Sequence, residues 1–363
     1  MSIKPNPNWK APRIGAAQIK LLEQLSNATG VSGNEDAIRT LVLEQVKDLA
    51  DDIQLDAIGN VLVTKRGKGR NLPRVMLAVH MDEIGFMLVK DEGDGTFQFE
   101  IVGGVDHRQL AGKPVWVGND NIPGVIGAKP IHLTTASERE STIPASSLRI
   151  DIGKESKGKI KTGDWATFST RFKRLGPSLM GKALDDRLGV ATLILLLQNA
   201  PENIDLLAAF TVQEEVGLRG AQVAAYNMHP DMAIALDCTP AMDMPVWDDS
   251  ENTLYRARAG FGPAIYVADG ATLPDPRLIA HLEAAAKAYN IPCQRRQPGG
   301  GGTDAGSIHK QRGGIPSISV SVPGRYLHTA ASLIRLADWR NSLALLHAAL
   351  SHFNRSTLKE PRR

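Results

Sequence analysis

Hydrophobic and polar positions change rhythm twice along this chain. Over residues 16–28, Ile19, Leu21, Leu22 and Leu25 recur at helical spacing, and Thr29-Gly30 ends the run. Ser32-Gly33-Asn34-Glu35 then has capping-box form, with Ser at the N-cap and Glu three residues on. The helix it predicts turns Ile38, Leu41, Val42 and Val46 inward. Strands are expected over residues 52–56 and 61–63, joined by a turn at Gly59-Asn60. Val75-Met76-Leu77-Ala78-Val79 is a continuous apolar run ending in His80, the pattern of a strand buried on both faces.

From about residue 84 to 179 the rhythm breaks. Glycine is frequent, long helical periodicity is missing, and Val102-Gly103-Gly104-Val105, Val115-Trp116-Val117-Gly118 and Gly124-Val125-Ile126-Gly127 predict short strands. Residues 134–144 are polar and are expected to form a mobile loop. After Gly181 the alternation of helix and strand returns. It predicts helices from Arg187 and Leu218 and over 276–289 and 337–353, with strands near 206–212, 232–236 and 315–322. The expected architecture is one α/β domain, residues 1–83 and 180–363, interrupted by a small β-rich insert at 84–179.

Composition narrows the function classes. The chain has 363 residues, 42% hydrophobic and 22% charged, which supports a sizeable core. A formal net charge of +3 is too weak to argue for nucleic acid. The longest apolar stretch, residues 188–197, is too short to span a bilayer and reads as a buried helix. Cys238 and Cys293 make no Cys-x-x-Cys motif and no disulfide framework. With no apolar leader after Met1, a reducing cytoplasm is the expected compartment.

The candidate chemistry gathers where apolar runs end. His80-Met81-Asp82 follows a buried strand, and Asp82 can accept the ring proton of His80 and leave the other nitrogen for a metal. Asp185-Asp186-Arg187 precedes a helix, so Asp185 is either a helix cap or a bridge between two cations. Glu214-Glu215 follows the strand at 206–212. Adjacent carboxylates at a sheet edge repel unless a cation or a proton intervenes, and one of the pair can bind metal while the other takes a proton from water. Asp237 ends the strand at 232–236, with Cys238 beside it as a small buried hydrophobe. His328 follows the strand at 315–322, and His107 is expected to play an ordinary polar role. Gly299-Gly300-Gly301-Gly302-Thr303-Asp304 lacks the Lys-Ser/Thr of a phosphate loop and reads as a turn that brings backbone near a substrate.

In this order the motifs resemble those of the glutamyl and tetrahedral aminopeptidases, metallopeptidase family 42. They are Gly30-Val31-Ser32-Gly33-Asn34-Glu35, His80-Met81-Asp82-Glu83-Ile84-Gly85, Gly181-Lys182-Ala183-Leu184-Asp185-Asp186-Arg187, Gln213-Glu214-Glu215-Val216-Gly217-Leu218-Arg219-Gly220-Ala221, Gly301-Gly302-Thr303-Asp304-Ala305-Gly306 and Arg325-Tyr326-Leu327-His328. The family tends to have Ser-Pro after the last histidine, whereas Thr329-Ala330 follows here. The resemblance implies a helix-covered mixed sheet of the di-zinc exopeptidase type, with the insert serving dimerisation. It implies two divalent ions per subunit (Zn, Co or Mn), one held by His80, Asp185 and Asp237 and the other by Asp185, Glu215 and His328. Asp82 would orient His80, and Glu214 would be the general base on a water between the metals. The insert falls between the first and second ligands, whereas related carboxypeptidases and deacylases carry their extra domain later.

The implied activity is removal of N-terminal residues from short peptides by a homo-oligomer, dimers assembling into a tetrahedral dodecamer, with no nucleic-acid or membrane partner. Side-chain preference would depend on pocket walls near Thr303-Asp304 and residues 255–261. Other readings are a related metal-dependent amide hydrolase or deacylase, a glycoside hydrolase using an Asp/Glu pair, and an inactive assembly protein.

Overall fold

The computed structural model describes residues 3–359 and 361, apart from 157, 247, 249, 251 and 253–255. Its centre is a mixed sheet of 11 strands among the described residues. Four parallel strands form the middle: Asp205–Thr211, Arg74–His80, Met232–Pro240 and Ser317–Arg325, in that order. All four are covered on both faces; the first three carry long apolar runs for that reason, while buried Ser317, Ser319 and Ser321 alternate with apolar residues in the fourth.

Period-two alternation splits the core in two. Val75, Leu77 and Val79 face one cluster, while Met76 and Ala78 face the other. The larger cluster is closed by helices Ala16–Asn27, Asp36–Val46, Leu184–Gln198, Pro276–Tyr289 and Leu336–His352. The smaller is closed by Arg219–Met228 and Ala305–Ile308. Helix Leu184–Gln198 is buried along nearly its whole length. Each of its core leucines contributes on the order of 2 kcal/mol by leaving water. That burial fixes the helix start, where Asp185 sits.

The insert is a closed barrel with strand order Gly85–Gly93, Thr96–Val102, Arg149–Asp151, Ile122–Gly127, Pro114–Val117 and Trp165–Phe168. It has its own core around Phe86, whose ring meets Phe99 and Phe168 edge-on at 5.2 and 5.3 Å. Strands Lys173–Leu175 and Ser178–Gly181 pair back into the large sheet, so the chain re-enters the main domain earlier than its glycine-rich composition suggests. The polar stretch expected to be a loop contains a short helix, Ala136–Glu140, started by a Thr135–Glu138 capping box. No helix of the described residues is long and apolar enough to cross a membrane.

Candidate active site

Parallel strands that end at one edge deliver their next residues into one cleft. His80 is the last residue of its strand and stands level with Thr211. Glu214 and Glu215 follow just beyond Thr211, Asp237 lies within Met232–Pro240, and His328 follows Arg325. Asp185 reaches in from the start of helix Leu184–Gln198, where it and Asp186 have non-helical backbone and share a cis peptide bond. The two aspartates divide the work. Asp186 is fully buried and accepts the Gly189 amide at 2.9 Å, the capping role, while Asp185 faces the cleft.

Asp185 stands between the two imidazoles. Its Oδ1 is 3.3 Å from His80 Nε2 and its Oδ2 is 3.6 Å from His328 Nε2. Asp237 approaches His80 Nε2 at 3.8 Å, and Glu215 approaches His328 Nε2 at 3.6 Å. Two groups of donor atoms result, His80–Asp185–Asp237 and Asp185–Glu215–His328, each with all its donors within 4.8 Å of one another. Cys238 adjoins Asp185 and Asp186 but gives its thiol to the Leu184 carbonyl at 3.4 Å, and burial with nearby carboxylates pushes the thiol well above its usual range. It behaves as the small hydrophobe expected from sequence. His107 lies outside this cleft, in a short turn of the insert.

The supporting contacts go beyond the sequence expectation. Asp82 faces His80 Nδ1 through both its main-chain carbonyl, at 3.1 Å, and its carboxylate, at 3.5 Å. The Asp82 carboxylate also accepts the Glu214 and Glu215 amides at 3.0 and 3.2 Å, and the Ser32 hydroxyl at 2.6 Å. Asp82 thus clamps the turn that presents both glutamates. Ser32 is not a helix cap: Glu35 precedes the helix and its carboxylate accepts the Gly33 amide at 2.7 Å. His328 Nδ1 lies 2.8 Å from the Gly104 carbonyl of the insert. A ring nitrogen facing a carbonyl carries the proton and leaves Nε2 free to ligate. Beneath the site, buried Glu83 accepts from Lys182 Nζ at 2.7 Å, the Gly30 amide at 3.0 Å and the Thr167 hydroxyl at 2.9 Å, with Arg187 Nη2 at 3.6 Å.

Crowded carboxylates titrate against one another. Burial, with Asp237, Asp304 and Glu215 nearby, holds the Glu214 carboxyl well above its usual range despite His80. Burial raises Asp237 to about 8 and Glu215 to about 7, each with help from Asp185. Burial also acts on Asp185, but its hydrogen bonds to His328 and His80 outweigh it and keep that carboxyl low. Asp185 in turn raises His328 to about 10. So much buried negative charge around two imidazoles favours cations, which would displace the protons.

The cleft is a cavity of about 860 Å³ that contains all six residues. Its walls also include Arg256, Arg296 and the glycines 300–302. Arg296 is 4% exposed, stacks 4.4 Å over the Tyr266 ring, and donates to Thr239 Oγ1, Ala268 O and Gly300 O. Neither guanidinium pairs with a carboxylate among the described residues. Sequence reasoning placed residues 255–261, which include Arg256, at the pocket without singling out the arginine, and it missed Arg296; the signal available was Arg295-Arg296 shortly before the glycine run. Thr303 and Asp304 are not pocket wall: both are buried, bonded to Ser319 and Thr211. Within residues 255–261, Arg256 reaches the cavity, while Tyr255 lies outside the described residues.

Comparison with known proteins points to one family. A profile of the M42 glutamyl aminopeptidase family matches residues 59–345. A curated protein of Acetivibrio thermocellus is 37% identical over 91% of this chain and 97% of its own. The glutamyl aminopeptidase of Lactococcus lactis is 30% identical (93% and 97% covered), and the lysyl aminopeptidase of Pyrococcus furiosus is 31% identical (91% and 96%). Among solved structures, an aminopeptidase of Desulfurococcus kamchatkensis superposes with a TM-score of 0.88 at 33% identity, covering 94% and 97%. The TET1 peptidase of Pyrococcus horikoshii, which can assemble into a tetrahedron or a large octahedral shell, gives 0.81 at 32%, covering 93% and 100%.

Proposed function

This chain belongs to the M42 glutamyl aminopeptidase family of metal-dependent peptidases, and on that premise we propose that it is a two-cation enzyme removing acidic N-terminal residues from short peptides. The observation that carries the reading is a single cavity holding two donor groups that share Asp185, with Glu214 beside them and in neither.

The residues fit the ions. Two imidazoles and three carboxylates, converging and largely buried, are the mixed N and O donors that suit Zn, Co or Mn. His80, Asp185 and Asp237 would hold one ion, and Asp185, Glu215 and His328 the other. When bound, such ions supply Lewis acidity toward a water and toward the scissile carbonyl. Glu214 takes the proton of the attacking water at its carboxylate and returns it to the departing amine. Asp82 keeps Glu214 and Glu215 in register by holding their amides. The peptide's free ammonium group is drawn to the carboxylate cluster, which restricts cleavage to the N-terminus.

Arg256 and Arg296 choose between the glutamyl and lysyl preferences of the relatives. Two guanidinium groups lining the cavity, neither with a carboxylate partner among the described residues, attract a carboxylate side chain and repel an ammonium. The test is kcat/KM on glutamyl-, leucyl- and lysyl-anilides. The glutamyl substrate should be preferred, and Arg256→Ala or Arg296→Ala should cut that preference at least ~10-fold. A wild-type preference for lysyl-anilide would contradict this.

The barrel is the proposed dimerisation module, and dimers would build a dodecamer. Its surface exposes Ile131, Leu133 and Ile143, an apolar group with no cover in the single chain. Light scattering on the eluted protein checks this, and a stable monomer would refute it. Cys238 and Cys293 both stand free, which supports the cytoplasm as compartment.

A further inference from the structure

The Gly103-Gly104 turn leaves the barrel and runs directly over the second donor group. Gly104 gives its carbonyl to His328 Nδ1 at 2.8 Å. Gly103, with φ of +83°, lies so close to Glu215 that an added Cβ would stand 3.4 Å from the Cβ and 3.5 Å from Oε2 of that residue. Ala330, two residues past His328, packs against the barrel core. The loop itself is a poor holder of a ligand. Tyr326 and His328 both have positive φ, at +62° and +57°, and the His328 side chain is 43% exposed. Within this loop the nearest anchor is the Thr329 hydroxyl on the Tyr326 carbonyl at 2.7 Å. The ring of His328 takes its direction from the insert.

We propose that the Gly103-Gly104 turn is a positioning element of the second cation site: the Gly104 carbonyl fixes the His328 ring, so this part of the barrel selectively sets the affinity of the Asp185–Glu215–His328 group. The inference rests on the two-cation reading. By contrast, the nearest ring partner of His80 in the first group is the carbonyl of Asp82, two residues along its own chain. The turn therefore acts on one group and spares the other. Gly104 also explains itself as a glycine by contact alone. Its backbone is outside the left-handed region, and a Cβ there would meet just two atoms within 4 Å, His328 Nδ1 at 3.1 Å and Cε1 at 3.5 Å. A larger residue would push the ring and touch little else.

The experiment is equilibrium dialysis of the chelator-stripped protein against Zn²⁺, with stoichiometry and both dissociation constants read directly. Wild type should bind two equivalents. Gly104→Ala should weaken one of them ~10-fold and Gly104→Val ~100-fold, the range expected when support of a ligating histidine is lost. The other equivalent should stay at wild-type affinity. Gly127→Ala is the control in the same barrel, because its added Cβ makes an ordinary contact at 3.8 Å. Its two affinities should match wild type. Circular dichroism of the stripped Gly104 variants should overlay that of wild type, separating a displaced ring from a misfolded barrel. Two wild-type affinities in Gly104→Val, or equal weakening of both sites, would overturn the inference. A wild type that binds one equivalent would instead overturn the two-cation reading itself.

Discussion

The two donor groups share Asp185 yet are built in different ways. His80 and Asp237 sit on strands buried on both faces, at 3% and 8% exposure. Glu215 and His328 sit on loops beyond strand ends, and His328 depends on the carbonyl of a separate domain. A ligand on a strand inherits the rigidity of the core. A ligand on a loop needs a neighbour to hold it, and that neighbour becomes a point of control.

The largest expected effect probes the residue that belongs to neither group. Glu214→Gln should lower kcat/KM by ~10²–10⁴ while metal analysis finds the ion content unchanged. Loss of the ions together with activity would make Glu214 a ligand and dissolve the division between base and holders.

The next effect concerns how firmly the first group is founded. Glu83 lies two residues beyond Asp82's neighbour Met81 and neutralises Lys182 and Arg187, all three under 3% exposed. Glu83→Ala leaves two buried cations without their anion and should cost about 3–5 kcal/mol in urea unfolding. A loss below about 1 kcal/mol would show that water reaches the cluster and that the foundation is looser than its burial indicates.

Asp82→Asn strikes where the groups are joined, because Asp82 follows His80 and holds the amides of Glu214 and Glu215. A fall of ~10–100-fold in kcat/KM is expected, with folding retained on circular dichroism. Unchanged turnover would mean that the glutamate turn is rigid without its clamp.

These assignments were legible in the sequence to different depths. The run into His80, and the strands before Glu214 and Asp237, announced a common edge because buried parallel strands are apolar throughout. The α/β domain with its β-rich insert follows from the same patterning, whereas the mixed sheet was implied only by the family resemblance and the closure of the insert into a barrel was not foreseen. The partners of the site were not legible. Ser32 on Asp82, Gly104 on His328 and Arg296 in the cavity wall are contacts between segments far apart in the chain, and no local period encodes them. Ser32 was even misleading, since a capping-box pattern fitted the same residues. The barrel's end was blurred because short strands 173–175 and 178–181 look alike in either domain until their pairing is known.

The smallest effect gives a baseline remote from both groups. Near the N-terminus, the Trp9 indole donates to His347 Nδ1 at 2.9 Å, and His347 Nε2 meets the Asn199 carbonyl at 3.1 Å. This ring must be neutral to accept the indole proton, and burial lowers its proton affinity from the ordinary value. An undocked ring takes up its proton first as pH falls. Docking is therefore complete above about pH 6.5 and is lost progressively below it. A modest shift in tryptophan fluorescence through that window should appear in wild type and be absent in Trp9→Phe. A shift of equal size in Trp9→Phe would place the titration elsewhere.

The most direct test of the whole account is release of amino acid from glutamyl-anilide before and after chelation, with Zn, Co or Mn added back. The account predicts activity that disappears with the chelator and returns when an ion is restored. Turnover that persists in protein shown by metal analysis to be stripped would contradict it.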